Sequence, residues 1–259
     1  MELSVIKIGG NVIDNPVALK EFIKNFASLP SPKILIHGGG KIATEISGKL
    51  GISTQMIDGR RVTDKQTLDV VSMVYGGLVN KSIVAQLQAA GCNAIGLSGA
   101  DANILPAHRR PATPIDYGYV GDINTDEVNA DIIFTLLNAG LTPVFCALTH
   151  DQQGSMLNSN ADTVASAIAI ATAMAGKSEV NLTFCFELQG VLEDISRPDS
   201  VIPLINEHNY QQLRTTGVIA KGMIPKIDNA FAALKKGVKH VVIKHSDKVH
   251  QPSGTTIQL

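Results

Sequence analysis

The alternation of short apolar strands with amphipathic helices constrains the fold of this chain more than any other feature. Strands are predicted at about 4–8, 33–37, 93–97, 144–148, 181–186 and 240–244, with helical patterns between them. The first long helical pattern begins at Pro16, a residue suited to a first helical turn, and carries an apolar stripe. Alternating strands and helices are typical of α/β proteins. We therefore predict a three-layer αβα sandwich with a central, mainly parallel open sheet.

Two of these strands end in glycine-rich turns that indicate a phosphate site. Lys7 lies within the first strand, which closes on Gly9 and Gly10, and a second strand runs into glycines at 38–40. A buried ammonium group is costly unless an anion meets it. Glycine turns let backbone N–H groups approach an oxyanion, and the second turn also opens a helix. On this segment alone, a lysine that reaches into solvent beside an ordinary turn is an equally good interpretation.

The composition excludes several classes of function. Lys and Arg (22) balance Asp and Glu (23), and Trp is absent, so neither a basic surface nor stacking platforms for nucleic acid are expected. The three cysteines lie far apart and fit no metal-ligand spacing. The longest uncharged apolar stretch, 164–175, is too short to span a bilayer, and the N-terminus shows no leader pattern. We expect a cytoplasmic protein with no nucleic acid, membrane or resident metal partner.

A long helix is predicted from a capping box at Thr63-x-x-Gln66 to about Ala90. Gly76 and Gly77 fall in its middle and cost roughly 1 kcal/mol each relative to alanine. We therefore expect a bend or a close helix–helix approach there, or a break between two helices.

Two familiar nucleotide motifs do not account for these features. Gly176-Lys177-Ser178 lacks the glycine that a P-loop requires at position 171, which is alanine here. The pattern Gly38-x-Gly40-x-x-Ala43, with Asp58 twenty residues beyond Gly38, agrees with a dinucleotide fingerprint. Such a short glycine pattern is weak evidence, and it leaves the lysines without a role.

Five motifs occur in a fixed order along the chain: Lys7-x-Gly9-Gly10, His37-Gly38-Gly39-Gly40, Gly59-x-Arg61-Val62-Thr63, Asn158-x-Asn160-Ala161-Asp162 and Gly222-Met223-Ile224-Pro225-Lys226. In this order and spacing the chain resembles the acetylglutamate kinases, which have the amino-acid kinase fold. The resemblance covers nearly the whole chain. It implies transfer of a phosphoryl group from MgATP to the side-chain carboxylate of N-acetyl-L-glutamate, in arginine biosynthesis.

The resemblance also implies roles for individual residues. Lys7 and Lys226 would flank the transferring group as catalytic residues, and Asp162 would hold their ammonium groups in place. Asp162 is also a candidate helix N-cap, a role compatible with the first. The acylglutamate would be bound by Gly39, Gly40, Arg61, Asn158 and Asn160, and the ATP phosphates by Lys7, Gly9, Gly10, Gly222 and Lys226. The reaction requires no general base, so His37 is assigned to packing or hydrogen bonding.

The same resemblance implies an organisation in two lobes. Residues 1–176 would bind the acylglutamate and form a homodimer through the helix around Gly76 and Gly77, and residues 177–259 would bind ATP. Phe186 and Glu187 stand where a hydroxyl residue and an aspartate are common in the family, so the adenine and ribose contacts stay open. Two alternatives also stay open: the same chemistry on a bulkier acylglutamate such as N-succinylglutamate, and a non-catalytic binding or sensor protein. A third alternative, a carbamate, aspartate or nucleotide kinase of the same fold, is disfavoured by Arg61 and the Asn158/Asn160 pair.

Overall fold

The computed structural model describes residues 2–57, 59–219 and 223–259. Its strands are β1 (Glu2–Ile8), β2 (Lys33–His37), β3 (Met56–Ile57), β4 (Arg60–Arg61), β5 (Ala94–Leu97), β6 (His108–Arg109), β7 (Gly121–Asp122), β8 (Thr142–Cys146), β9 (Leu148–His150), β10 (Met156–Asn158), β11 (Glu179–Phe186), β12 (Leu204–Ile205), β13 (His240–His245) and β14 (Thr255–Ile257). The α-helices are α1 (Gly10–Ile13), α2 (Pro16–Ser28), α3 (Gly40–Lys49), α4 (Lys65–Ser72), α5 (Asn80–Ala89), α6 (Ala130–Asn138), α7 (Ala161–Met174), α8 (Glu207–Thr215) and α9 (Ile224–Lys235).

Eight of these strands form one sheet, in the order β12-β14-β13-β11-β1-β2-β8-β5. The six strands from β13 to β5 run parallel, because helices connect them across the faces of the sheet. At the other edge, β14 is antiparallel to β13, and β12 is parallel to β14. The prediction of a mainly parallel open sheet is confirmed.

Helices cover both faces of the sheet, which makes the three predicted layers. On one face, Leu3 and Val5 of β1 pack in a core with α6, α7, α8 and α9. On the other face, Ile6 and Ile8 pack in a second core with α1 to α5. Side chains alternate between the two faces along a strand. Lys7 therefore leaves β1 on the same face as Leu3 and Val5, toward α7.

The N-cap of the long helix lies one residue after the predicted cap, and the helix begins at Lys65. Asp64, and not Thr63, is the N-cap, because its carboxylate accepts a hydrogen bond from the Thr67 N–H at 2.8 Å. Between α4 and α5 the helix widens into a π-helical segment, Met73–Val79. This segment contains Gly76 and Gly77, where a bend, a close helix–helix approach or a break was expected. By length and composition, Lys65–Ala89 is the one described helix that could cross a membrane. A core helix meets the same two criteria, and this one contributes Val71 and Ile83 to a core.

Candidate functional site

Three charged side chains meet at the carboxyl end of β1. Lys7 points toward α7, whose first turn carries Asp162, and Lys226 lies in the first turn of α9. The Lys7 Nζ lies 2.7 Å from Asp162 Oδ1, and the Lys226 Nζ forms an ion pair with Asp162 Oδ2. The structure thus brings both lysines predicted as catalytic against the predicted organising carboxylate.

The Asp162 carboxylate keeps its charge although only 8% of the residue is exposed. Burial alone raises the pKa of Asp162, but the ammonium groups of Lys7 and Lys226 outweigh burial and lower it to about 2. Two cations therefore share one anion, which leaves one positive charge in excess beside the adjoining cavities. Such an excess attracts a phosphate group.

The turn after β1 lies close to the end of β11. The Gly9 N–H donates to the carbonyl of Cys185 at 2.8 Å, and a Cβ on Gly9 would lie only 3.3 Å from that of Phe186. Gly10 follows and borders two neighbouring cavities. Gly222, the remaining residue predicted to bind phosphate, lies outside the described residues.

The turn after β2 lines one of these two cavities, which we call the first cavity. Its residues there are Gly38, Gly39 and Gly40. Gly39 has φ +151°, a backbone conformation that side-chain-bearing residues rarely adopt. A Cβ on Gly39 would also lie 3.1 Å from the ring of Tyr75, in the π-helical segment. This position therefore requires glycine for both its conformation and its packing.

All five residues predicted to bind the acylglutamate line this first cavity, which has a volume of about 260 Å³. These residues are Gly39, Gly40, Arg61, Asn158 and Asn160. Lys7 lines the cavity as well, so the cavity reaches the charged cluster. A single small molecule could therefore touch the predicted acceptor residues and one of the lysines at once.

Arg61 is buried and held in a fixed orientation. Its Nη2 donates to the Gly40 carbonyl and to Thr44 Oγ1, each at 2.8 Å, and its Nη1 donates to Thr54 Oγ1 at 3.2 Å. These contacts use three of the five N–H donors of the guanidinium. The Nε–H and one Nη1–H are left, and either of them could donate one hydrogen bond to a carboxylate in the cavity.

The two asparagines have different local roles. Asn158 Nδ2 donates to Thr63 Oγ1 at 3.0 Å, which fixes its amide at the cavity wall. Asn160 is the N-cap of α7, because its Oδ1 accepts from the N–H groups of Asp162 and Thr163. The suggestion that Asp162 caps this helix is therefore wrong. The Asn160 amide nitrogen is left as the donor for a ligand.

Two further pairs of polar residues line the cavities and were not predicted from the sequence. Arg110 Nε donates to Asp122 Oδ2 at 3.0 Å, and both line the first cavity. Asn11 Nδ2 donates to Glu187 Oε1 at 2.8 Å in the second cavity, of about 370 Å³, which Asp162 and Lys226 also line. Only Glu187 carried a signal, as a departure from the family pattern. Within residues 2–57, 59–219 and 223–259, no group of three or more His, Cys, Asp or Glu side chains could hold a metal ion.

Comparison with known proteins is consistent with this geometry. The chain is 57% identical over 249 residues to an acetylglutamate kinase of Cytophaga hutchinsonii, covering 96% of this chain and 93% of that one. It is 48% identical to an acetylglutamate kinase of Parabacteroides distasonis, over 99% of both chains. A crystal structure of smu.665 from Streptococcus mutans superposes with a TM-score of 0.80 at 30% identity, covering 99% of this chain and 98% of that one. The model of the amino acid kinase family matches residues 2–245, and the chain belongs to that family.

Proposed function

We propose that this protein is an ATP-dependent kinase that phosphorylates the side-chain carboxylate of N-acetyl-L-glutamate, giving N-acetyl-L-glutamyl 5-phosphate in arginine biosynthesis. The observation that carries the proposal is the Lys7–Asp162–Lys226 cluster, which adjoins a cavity lined by every residue predicted to bind the acylglutamate. Relatives 48% and 57% identical over nearly the whole chain are named acetylglutamate kinase. These names favour an acetyl substrate over N-succinylglutamate, and an enzyme over a sensor.

The chemistry needs charge neutralisation more than proton transfer. A glutamate side chain has an unperturbed pKa of about 4.3, so its carboxylate is already a nucleophile at neutral pH. One of its oxygens bonds to the γ-phosphorus as the bond to the ADP oxygen breaks. Lys7 and Lys226 offset the repulsion between the two anions, and the N–H groups of Gly10 and Gly39 donate to the transferring oxygens. Asp162 sets the positions of both ammonium groups.

The acceptor is held in the first cavity by complementary polar groups. The Arg61 cation attracts its α-carboxylate and donates to it from a free N–H, and the amides of Asn158 and Asn160 bind its neutral polar groups. Gly39 and Gly40 allow the substrate to approach the backbone closely.

ATP occupies the second cavity, with its phosphates near Lys7, Gly9, Gly10 and Lys226. Gly222, which lies outside the described residues, is assigned to the phosphates by the family resemblance alone. Mg²⁺ enters as part of the ATP complex and reduces the negative charge of the phosphates. Both oxygens of Asp162 are paired with lysines, so the phosphate oxygens of ATP are the ligands that would hold the ion.

The same proposal extends to organisation and location. Residues 1–176 form the acylglutamate lobe and residues 177–259 the nucleotide lobe, and the protein works in the cytoplasm. Two copies pair through the helix around Gly76 and Gly77, where Met73 and Leu78 are 59% and 55% exposed. Light scattering on the purified protein tests this pairing, and a monomer at micromolar concentration would contradict it.

A coupled assay of ADP release tests the activity. N-acetylglutamate and N-succinylglutamate are supplied side by side with MgATP, and glutamate serves as the unacylated control. We expect the highest kcat/KM with N-acetylglutamate. Calorimetric titration with MgATP accompanies the assay, because a folded protein that binds no nucleotide would support the sensor interpretation instead.

A further inference from the structure

A buried polar chain lies directly beneath the glycine turn after β2. His37 is the last residue of β2, and Asn80 is the first residue of α5. Both residues are buried, with exposed fractions of 0% for His37 and 1% for Asn80. His37 Nδ1 lies 2.8 Å from the Gly38 carbonyl oxygen, and His37 Nε2 lies 2.9 Å from Asn80 Nδ2. Asn80 Nδ2 also lies 2.9 Å from the carbonyl oxygen of Val144, on β8.

This chain of contacts fixes which ring nitrogen of His37 carries the hydrogen. The Val144 carbonyl can only accept, so the Asn80 atom beside it must be the amide nitrogen. The same nitrogen has a second hydrogen, which it donates to His37 Nε2, and Nε2 is therefore unprotonated. The hydrogen of the neutral ring is on Nδ1, which donates to Gly38. Burial lowers the pKa of His37 to about 4, so the ring is neutral at working pH.

The bond to Gly38 orients the next N–H group. The cis peptide bonds of the described residues are Ser31–Pro32 and Thr113–Pro114, so the Gly38–Gly39 bond is trans. In a trans peptide the carbonyl and the N–H point in opposite directions. Because the Gly38 carbonyl faces the buried His37 ring, the trans peptide leaves the Gly39 N–H on the side opposite that ring, and Gly39 lines the first cavity.

Residues packed around Asn80 restrict the position of its side chain. It follows directly on the π-helical segment, and such segments are frequent at functional sites. A Cβ on Gly96, in β5, would overlap Asn80 Oδ1, so glycine at this position gives the amide its space. Tyr75, within the π-helical segment, covers the other side of Gly39.

We propose that His37 is a positioning residue for phosphoryl transfer, which acts by holding the Gly39 N–H toward the transferring group through its hydrogen bond to Gly38. The inference rests on the proposed kinase function. It assigns His37 no proton transfer, because the acceptor carboxylate is already ionised.

Two variants of His37 separate this role from packing. Asn places an amide nitrogen near the position of Nδ1 and can still donate to Gly38, whereas Gln places its amide near Nε2 and keeps only the contact with Asn80. Each variant loses volume and one buried hydrogen bond, so a purely structural role predicts similar losses for both. We expect His37→Asn to keep kcat within about threefold and His37→Gln to lose about tenfold or more in kcat, with a smaller change in KM.

Binding measurements add a readout of the transferring group itself. The affinity for magnesium ADP with aluminium fluoride, in the presence of N-acetylglutamate, should fall in His37→Gln and persist in His37→Asn. Affinity for N-acetylglutamate alone should be similar in the two variants. Equal kcat and equal fluoroaluminate affinity in both variants would overturn the proposal.

Two further measurements test the positioning role of His37 if neither variant folds. Nitrogen NMR of the histidine rings in the wild-type protein should show hydrogen on Nδ1 of His37, and hydrogen on Nε2 would overturn the proposal. Gly96→Ala should lower kcat by displacing Asn80, and an unchanged kcat would also overturn it. Failure of the kinase function is recognised separately, as a wild-type protein with no acylglutamate-dependent ADP release.

Discussion

Replacing Asp162 with asparagine gives the most quantitative test of the charged cluster. Asparagine has nearly the shape of a protonated aspartate, so the substitution is equivalent to protonating Asp162 permanently. The pKa of Asp162 falls from 3.8 to about 2 in the folded protein. Because one pKa unit corresponds to about 1.4 kcal/mol, the ionised carboxylate contributes about 2 kcal/mol to the free energy of unfolding at pH 7.

The pH dependence of this contribution has a definite sign. The folded pKa of Asp162 is depressed, so its contribution is present above the unfolded pKa of 3.8 and is lost as the pH falls through about 2. The wild-type protein should therefore exceed Asp162→Asn in free energy of unfolding by about 2 kcal/mol at pH 7 and by about 1 kcal/mol at pH 3. Urea unfolding curves at pH 7, 5 and 3 measure this difference.

A surface carboxylate provides the matched control. Asp131 forms an ion pair with Lys177, but their side chains are 82% and 51% exposed. Asp131→Asn should change the free energy of unfolding by about 0.5 kcal/mol or less, because water screens exposed pairs. Only Asp162→Asn should also lower kcat, by about 100-fold or more, as its lysines lose the group that positions them. A stability difference that stays constant from pH 7 to pH 3, or a normal kcat, would refute this reasoning.

The remaining predictions concern the lysines, the acceptor cavity and one helix. Lys7→Ala and Lys226→Ala should each lower kcat by about 100-fold, whereas Lys65→Ala, whose side chain is 67% exposed, should leave it unchanged. Normal turnover in both site variants would remove the proposed mechanism. Arg61→Ala should raise KM for N-acetylglutamate by about tenfold or more, and an unaltered KM would show that another group binds the α-carboxylate. Gly48→Ala, at an open position in α3, should add up to about 1 kcal/mol to the free energy of unfolding with kcat unaffected; a loss of stability in urea titration would contradict this.

Six of the eight sheet strands (β1, β2, β5, β8, β11 and β13) were predictable from sequence because each lies in an apolar run, whereas the two-residue strand β12 has no such pattern. Lys7 could be found because an ammonium group in such a run is conspicuous. Asp162 and Lys226 carry no comparable local signal, and only the resemblance of their motifs to a family identified them. The capping box failed for a local reason, since Asp64 lies next to Thr63 and its carboxylate caps the helix instead.

The parts of the site that could not be predicted from the sequence depend on contacts between residues far apart in the chain. Arg110 and Asp122 come from a loop-rich segment, and no spacing rule shows that they line the acceptor cavity. His37 and Asn80 are 43 residues apart, and their contact depends on how the π-helical segment places α5 beneath β2. The orientation of the Gly38–Gly39 peptide depends on that contact, so it could not be predicted from the sequence pattern either.

The presence of a carboxylate in a site proposed for polyanions has a physical explanation. Without Asp162, the ammonium groups of Lys7 and Lys226 would face each other with no anion between them. At a separation of about 5 Å and an effective dielectric constant of about 20, two such charges repel by about 3 kcal/mol. In the proposed mechanism the carboxylate removes this repulsion before ATP binds, so the site is already organised when the reaction begins. In many enzymes an active-site group lowers stability, but here one group should support both stability and kcat, and Asp162→Asn should lose both together.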